Sequence, residues 1–369
     1  MKILVAMDSF KGSLSAAAAC RAVARGLESA GHRPRVLPIA DGGEGTAAAF
    51  LAARPGEWID SRVAGPRPET EVAAGYAWFP EQRRAVVEMA AASGLTLLAP
   101  SERDPLRTGT YGSGQLIAAA AARGAREILL AVGGSATVDG GIGAAAALGW
   151  RFRDRDGREL APVGGSLPEI ERIIRPPKLR LPPVKVLCDV RNPLNGPDGA
   201  ARVYAPQKGA DERGVELLER GLLKLGSLVE RELGIEIGAM PGGGAAGGLA
   251  AGAVAFLGGR LCVGIDTVLD ALDFDRALEG VDLLVTGEGS FDRQSLYGKA
   301  VAGLAARARA ERVPVAVIAG RVDVGPDDYR PLGIRSAHAL ADEVGDPEYA
   351  ITHAAELLEA RAAPMLGLD

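Results

Sequence analysis

A chain of 369 residues with 47% hydrophobic and 24% charged side chains has the makeup of a globular protein of about two domains, not of a disordered chain. Its 42 Lys and Arg against 47 Asp and Glu leave a net charge of -5, which disfavours a nucleic-acid partner, since such proteins carry a basic face. The 50 glycines have no three-residue period, no apolar run reaches the roughly 18 residues that span a bilayer, and the opening run meets Asp8 too soon for a signal peptide, so a soluble cytoplasmic protein is expected.

The first predicted element is a strand over Ile3 to Met7, followed by the polar loop Asp8–Ser15 and an Ala-rich helix that ends at Gly31. Ser13 or Ser15 can cap that helix. Arg35 to Ala40 reads as the next strand, and Asp41-Gly42-Gly43-Glu44-Gly45-Thr46 leads into a second helix. This alternation is the mark of parallel βαβ units. Residues 62–85 mix Pro, Gly and aromatics, and Glu71 to Phe79 within them reads as a less regular strand. Arg151 to Pro183 and Pro241 to Gly248 also break the rhythm. Leu218, Leu222, Leu225 and Val229 mark one half-buried helix, with Gly221 and Gly226 predicting a break or a close packing inside it. The βα texture returns at the end: strand Val281 to Thr286, loop Gly287 to Asp292, helix Leu296 to Ala310, strand Val313 to Ala319. Matching ends predict an α/β protein in which residues 1–68 and 285–369 form one parallel-sheet domain and residues 69–284 form an inserted second α/β domain.

In open α/β sheets ligands sit beyond the carboxyl ends of the strands. Five apolar strands here end in small and acidic residues: at Asp8–Ser13, at Asp41–Thr46, at Gly133–Gly141, at Cys188–Pro193 and at Thr286–Asp292. Glycines let a backbone approach a ligand, and N–H groups at a helix start hold anionic oxygens. Acids beside them suit a phosphate only with Mg²⁺ between, because carboxylates and water are its preferred ligands. Lys11, Lys208 and Lys299 fall in such Gly-containing loops and can serve as point charges for phosphate. Cys20, Cys188 and Cys262 are far apart, as are the three histidines, so neither a disulfide framework nor a His-based zinc site is expected. No P-loop, dinucleotide fingerprint or Gly-x-Ser-x-Gly elbow is present. Phosphoryl transfer with carboxylates and a metal remains, beside simple binding of an anionic metabolite.

The same segments resemble the bacterial glycerate kinase type 1 family. The resemblance rests on Asp8–Ser15, Pro38–Thr46, Gly133–Thr137, Cys188–Leu194, Gly199-Ala200, Tyr204–Ala210 with its Pro-Gln-Lys-Gly-Ala block, Gly243–Gly248, Thr286–Gly289, Asp292–Ser295 and Gly298-Lys299. It implies ATP-dependent phosphorylation of D-glycerate with Mg²⁺, 2-phosphoglycerate as the usual product, and a Rossmann-like domain with a second α/β domain inserted. The chain departs from the family's pattern at Val138, where Asn is usual, and at Gln115, where a Glu is usual. Within that frame Asp189 is expected to orient the hydroxyl and accept its proton, with Asp292 as second choice and Lys11 assisting. Arg191, Asn192, Ser9 and Lys11 are expected to bind substrate. Gly133, Gly134, Ser135, Lys208, Gly287, Gly289 and Lys299 are expected to line the phosphates of ATP, and Asp8, Asp41 and Glu288 to ligate Mg²⁺ directly or through water. The expected partner is a small-molecule substrate, with neither nucleic acid nor membrane, on a monomer or homodimer. The alternatives are a glycerate 3-kinase, a kinase for another small hydroxy acid, or a non-catalytic binder of a phosphorylated metabolite.

Overall fold

A computed structural model of the chain describes residues 1–296 and 299–366; Tyr297 and Gly298, within the helix expected from Leu296, lie outside them, and the helix runs over Ala300–Ala310. The sheet strands are, in chain order, Lys2–Met7 (β1), Arg33–Val36 (β2), Glu57–Ala64 (β3), Glu71–Phe79 (β4), Arg84–Glu88 (β5), Glu127–Ala131 (β6), Val184–Leu187 (β7), Arg260–Cys262 (β8), Leu283–Gly287 (β9), Val315–Ala319 (β10) and Ile334–Ala339 (β11). They make a five-stranded sheet of order β11-β10-β9-β1-β2 and a six-stranded sheet of order β8-β7-β6-β5-β4-β3.

The chain divides into two compact units. One comprises Met1–Asp41, Ala48–Pro55 and Val263–Asp369; the other comprises Gly42–Ala47 and Gly56–Cys262. The five-stranded sheet of the first unit is parallel throughout, and β1 lies between β9 and β2 with Ile3 opposite Leu283 and Lys2 opposite Arg33. Its three inner strands β1, β9 and β10 are buried and largely apolar, as a sheet covered on both faces requires, while the edge strands β2 and β11 are polar and partly exposed. The order places a switch point between β1 and β9, because the chain continues from β1 to β2 on one side and from β9 to β10 on the other. The expected strand at Arg35 starts two residues earlier and ends at Val36, but Leu37 and Ile39 still donate to the Val5 and Met7 carbonyls and so run on beside β1. Ser15 caps the helix Ala16–Ser29 through Ala18 N, whereas Ser13 donates its hydroxyl to the Ile351 carbonyl.

In the second unit β5, β6, β7 and β8 run parallel, while β3, β4 and β5 are antiparallel neighbours. The stretch expected to be irregular is thus a regular hairpin, with Ile59 opposite Tyr76 and Val63 opposite Val72. That pairing moves the first boundary from 68 to 55, since β3 cannot leave its partner. The second boundary moves from 285 to 262 because the helices Gly264–Ala271 and Phe274–Leu278 are tied to the helix Ala300–Ala310: Arg307 binds Asp270 at 2.6 Å and Asp275 at 2.7 Å. Helix Glu212–Leu233 is unbroken through both glycines. A Cβ on Gly221 would stand 2.5 Å from Leu167 Cβ, so close packing against the turn Gly164–Glu169 explains that glycine. Among the described residues no helix is long and apolar enough to cross a membrane.

Candidate active site

In the first unit the loops after β1, β2, β9, β10 and β11 surround a cavity of about 470 Å³ at the switch point. Asp8, Ser9, Lys11, Asp41, Glu288, Gly289, Asp292 and Lys299 all line it. Eight of the residues singled out in the sequence are therefore gathered in one place, by strands that come from opposite ends of the chain. Asp8 continues β1 as its N–H donates to the Gly287 carbonyl, and its carboxylate accepts from Ser9 N at 2.6 Å. The side chain is 7% exposed. Burial, then the negative charges of Asp41 and Glu288, push the Asp8 carboxyl up to about 7, against the Ser9 N–H and Lys11. Burial likewise raises Glu288, with Asp41 and Asp292 adding to the shift and Ser295 and Lys299 opposing it. Glu288 Oε1 is buried without a hydrogen-bond partner.

Two of the expected contacts have other work. Asp292 caps the short turn Arg293–Leu296, accepting from Gln294 N at 2.7 Å and Ser295 N at 3.3 Å. Gly287 is dictated by strand packing, because a Cβ there would lie 1.7 Å from the Ile318 carbonyl oxygen. Lys299 Nζ reaches Gln294 Oε1 at 3.2 Å.

In the second unit the loops after β5, β6 and β7 lie at the carboxyl ends of adjacent parallel strands. The Gly133-Gly134 loop approaches the segment Gly42–Ala47 so closely that a Cβ on Gly133 would be 2.8 Å from Gly43 Cα. Lys208, 3% exposed, points inward: its Nζ donates to Ser135 Oγ at 2.7 Å and to the Thr137 carbonyl at 2.8 Å. Burial pushes its ammonium down to about 7, opposed by Asp139. Asp139 is fully buried and accepts from Thr110 N, Thr110 Oγ1, Gly141 N and Gly143 N at 2.7–3.1 Å. After β7, Asp189 is half-buried and Arg191 exposed on one short loop. Both ends of the Asn192 amide are engaged, Nδ2 donating to the Asp198 carbonyl and Oδ1 accepting from Tyr204 OH, each at 2.8 Å. Through these bonds Lys208 and Asn192 hold their loops in shape.

Glu88 was missed. Its carboxylate accepts from Ala47 N at 2.6 Å and Gly45 N at 3.2 Å, which occupies N–H groups at the start of the helix Thr46–Ala53. Burial raises its pKa, against those two bonds. The signal was there, since Glu88 ends the apolar run Ala85-Val86-Val87 as the other acids end theirs. Gln115 Oε1 accepts from Ala64 N at 2.8 Å, a bond that needs only an oxygen, and Val138 is wholly buried in the core. Both departures from the resembled pattern are accommodated inside the second unit.

Residues 3–368 match the model of the Glycerate kinase family. The chain is 41% identical over 365 residues to the glycerate kinase of Halalkalibacterium halodurans, covering 98% of this chain and 96% of that protein. It is 41% identical over 350 residues to the glycerate 2-kinase of Escherichia coli, covering 94% and 92%. A crystal structure from Salmonella typhimurium LT2, described as a glycerate kinase 2, superposes with a TM-score of 0.87 at 37% identity, covering 100% of this chain and 98% of that one.

Proposed function

Because the chain belongs to the glycerate kinase family and is an enzyme that phosphorylates glycerate, we propose that it transfers the γ-phosphoryl group of ATP, with Mg²⁺, to the 2-hydroxyl of D-glycerate. The observation that carries this reading is the switch-point cavity, where four acids and two lysines from three strand ends converge. Such transfer is mostly positioning and charge neutralisation, for which fixed cations and a metal-bridged polyphosphate suffice. The 2-hydroxyl is favoured by the likeness to the Escherichia coli glycerate 2-kinase.

Asp8, Asp41 and Glu288 suit Mg²⁺. Among the described residues no three acid, imidazole or thiol groups form a ready-made cage. Mg²⁺ does not need one, since it takes one or two carboxylates and fills its octahedron with water and phosphate oxygens. A buried carboxylate oxygen without a partner and an Asp8 raised by burial and then by its acidic neighbours both describe a place short of positive charge. When bound, the ion neutralises charge on the phosphates. Lys11 and Lys299 add cations at the same cavity, and Gly289 lets the backbone approach there, while Gly133 and Gly134 do so in the second unit.

For the acceptor we assign Asp189 to orient the hydroxyl and take its proton, and Arg191 to pair with the glycerate carboxylate. Ser9 contributes a hydroxyl at the cavity. Lys208 and Asn192 hold the loops Ser135–Thr137 and Asn192–Asp198. A coupled assay of ADP release over a panel of hydroxy acids, followed by NMR of the product, tests the whole reading. Glycerate-dependent ADP release with the phosphate on C2 is expected; a product phosphorylated on C3, or no release with glycerate, overturns it.

A further inference from the structure

The switch-point cavity is far larger than a hydroxy acid as small as glycerate needs, and lies in the range of ordinary small-ligand pockets. Its two ends differ in chemistry. After β1, β2 and β9 stand Asp8, Asp41, Glu288 and Asp292 with Lys11 and Lys299. After β10 the cavity is lined by Gly320 and by Arg321, whose guanidinium pairs with Asp323 at 2.7 Å, and beyond β11 the wall is apolar: Leu340 and Ala341 follow β11, and Ala350, Ile351 and Ala354 come from the successive short helices Pro347–Thr352 and Ala354–Ala362. Ile351 is 53% exposed, a large aliphatic side chain kept in water beside a cavity.

This wall is fixed in place by two ties. The Ser13 hydroxyl, on the loop that carries Asp8 and Lys11, donates to the Ile351 carbonyl. The helix Ala354–Ala362 packs so tightly on the helix Ala16–Ser29 that a Cβ on Gly26 would stand 2.0 Å from the Glu359 carbonyl oxygen, and Arg25 binds Glu359 at 2.6 Å alongside. The acid-lined end and the apolar end are therefore parts of one preformed pocket within the first unit, joined through the β1 loop.

We propose that the apolar end is the subsite for the base and sugar of the nucleotide, with Ile351 and Ala354 as the surface against which the purine packs. The proposal rests on the kinase reading above. It follows from matching the parts of the ligand to the parts of the pocket. A triphosphate must lie where cations are, at Lys11, Lys299 and the metal-binding acids. The flat, uncharged purine is the portion left to cover methyl and methylene groups. Its phosphates then sit at the switch point, where anions bind in open α/β sheets.

The test is Ile351→Glu in the full-length chain, which sets a carboxylate in the path of the base on a residue exposed enough to leave the core untouched. ADP affinity is read by isothermal titration without glycerate, and KM for ATP and for glycerate by steady-state assay. The expected result is at least a tenfold loss of ADP affinity and a matching rise in KM for ATP, with KM for glycerate within twofold. Ile351→Leu restores ADP affinity to within threefold. Adenosine, which has no phosphate, competes with ATP on the unmodified enzyme and loses at least tenfold potency on Ile351→Glu. ADP affinity and ATP KM within twofold of the parent, or a rise confined to KM for glycerate, overturns the subsite while leaving the kinase reading intact. Tight ADP binding that Ile351→Glu abolishes, in a protein that phosphorylates no hydroxy acid, supports the subsite and overturns the glycerate reading.

Discussion

The two units use the same local sequence, an apolar strand ending in glycine and an acid, to opposite ends. In the first unit the acids after β1, β2 and β9 face a common cavity, where burial raises the pKa of Asp8 and Glu288 and the negative charge of Asp41 adds to both shifts. In the second, Asp139 accepts four hydrogen bonds from its own chain, Glu88 accepts two and the Lys208 ammonium donates two. A buried carboxylate surrounded by backbone N–H groups is compensated by its own chain; one surrounded by other carboxylates is not. Composition at a strand end does not separate the two. The source of the compensating charge does.

Asp189 and Arg191 are the proposed exception in the second unit, and their loss is expected to have the largest effect. Asp189→Asn should cut kcat by roughly 10²–10⁴-fold, the usual worth of a positioned acid–base group, with substrate KM changed much less. Arg191→Ala should raise KM for glycerate by about 10–100-fold and leave KM for ATP nearly unchanged, as loss of one charge-assisted pair implies. Steady-state kinetics decide both. A kcat for Asp189→Asn within about threefold of the parent, where a positioned base predicts far more, would shift the role to Asp292.

Next comes the contrast itself. Asp139→Ala should cost roughly 3 kcal/mol or more of folding stability, because four buried donors lose one acceptor group. Glu288→Gln should change stability by less than about 1 kcal/mol and yet cut turnover more than about tenfold. Urea unfolding and assays on both variants reverse the comparison if Asp139→Ala folds normally or Glu288→Gln turns over normally. Excess chelator should abolish turnover, and replacing His32, His338 and His353 should leave the metal requirement unchanged.

The pH predictions are smaller and opposite in sign. The folded-state pKa of Asp8 is raised to about 7 from 3.8, so its favourable contribution is complete below about 4 and is lost as pH rises through about 7. In metal-free buffer Asp8→Asn should therefore melt higher than the parent at pH 8, with the gain shrinking toward pH 5. Lys208 is lowered to about 7 from 10.5, so between those values the unfolded chain binds the extra proton and stability rises with pH. Lys208→Met should flatten that rise, by at most about 1.4 kcal/mol per pH unit. Equal slopes for parent and variant between pH 7 and 9.5 would show that Lys208 stays charged when folded.

Much of the fold is legible in the sequence because parallel buried strands announce themselves as short apolar runs. Ile3 to Met7, Leu283 to Val285 and Val315 to Ala319 are such runs, and each ends where a loop begins. The hairpin of β3 and β4 was harder, since Trp58, Tyr76 and Trp78 among glycines give no clean alternation, and its regularity comes from cross-strand pairing. Site residues were legible as types and not as roles. Lys208 and Ser135 are 73 residues apart and Glu88 and Gly45 are 43 apart, so nothing local shows that each already has a partner. Asp8, Asp41 and Glu288 could be grouped because strand ends on one sheet edge must share one crevice.

The position of β1 carries a consequence for how the chain is made. It is an inner strand of its sheet, between β9 and the edge strand β2, and the Lys2 N–H donates to an Asp282 carboxylate 280 residues further on. At synthesis rates of about 5–20 residues per second, β1 therefore emerges tens of seconds before its neighbour β9 exists. During that interval a strand apolar from Ile3 to Met7 has only β2 to pair with and an open edge that invites pairing with other chains. The intervening residues 56–262 have all their sheet partners within themselves and can complete their core while β1 waits. Ribosome-bound chains shorter than about 290 residues should thus hold a protease-resistant second unit beside an exposed N-terminal unit of strand, helix and strand, and it is this early-made, late-used segment that a trigger-type chaperone would have to cover.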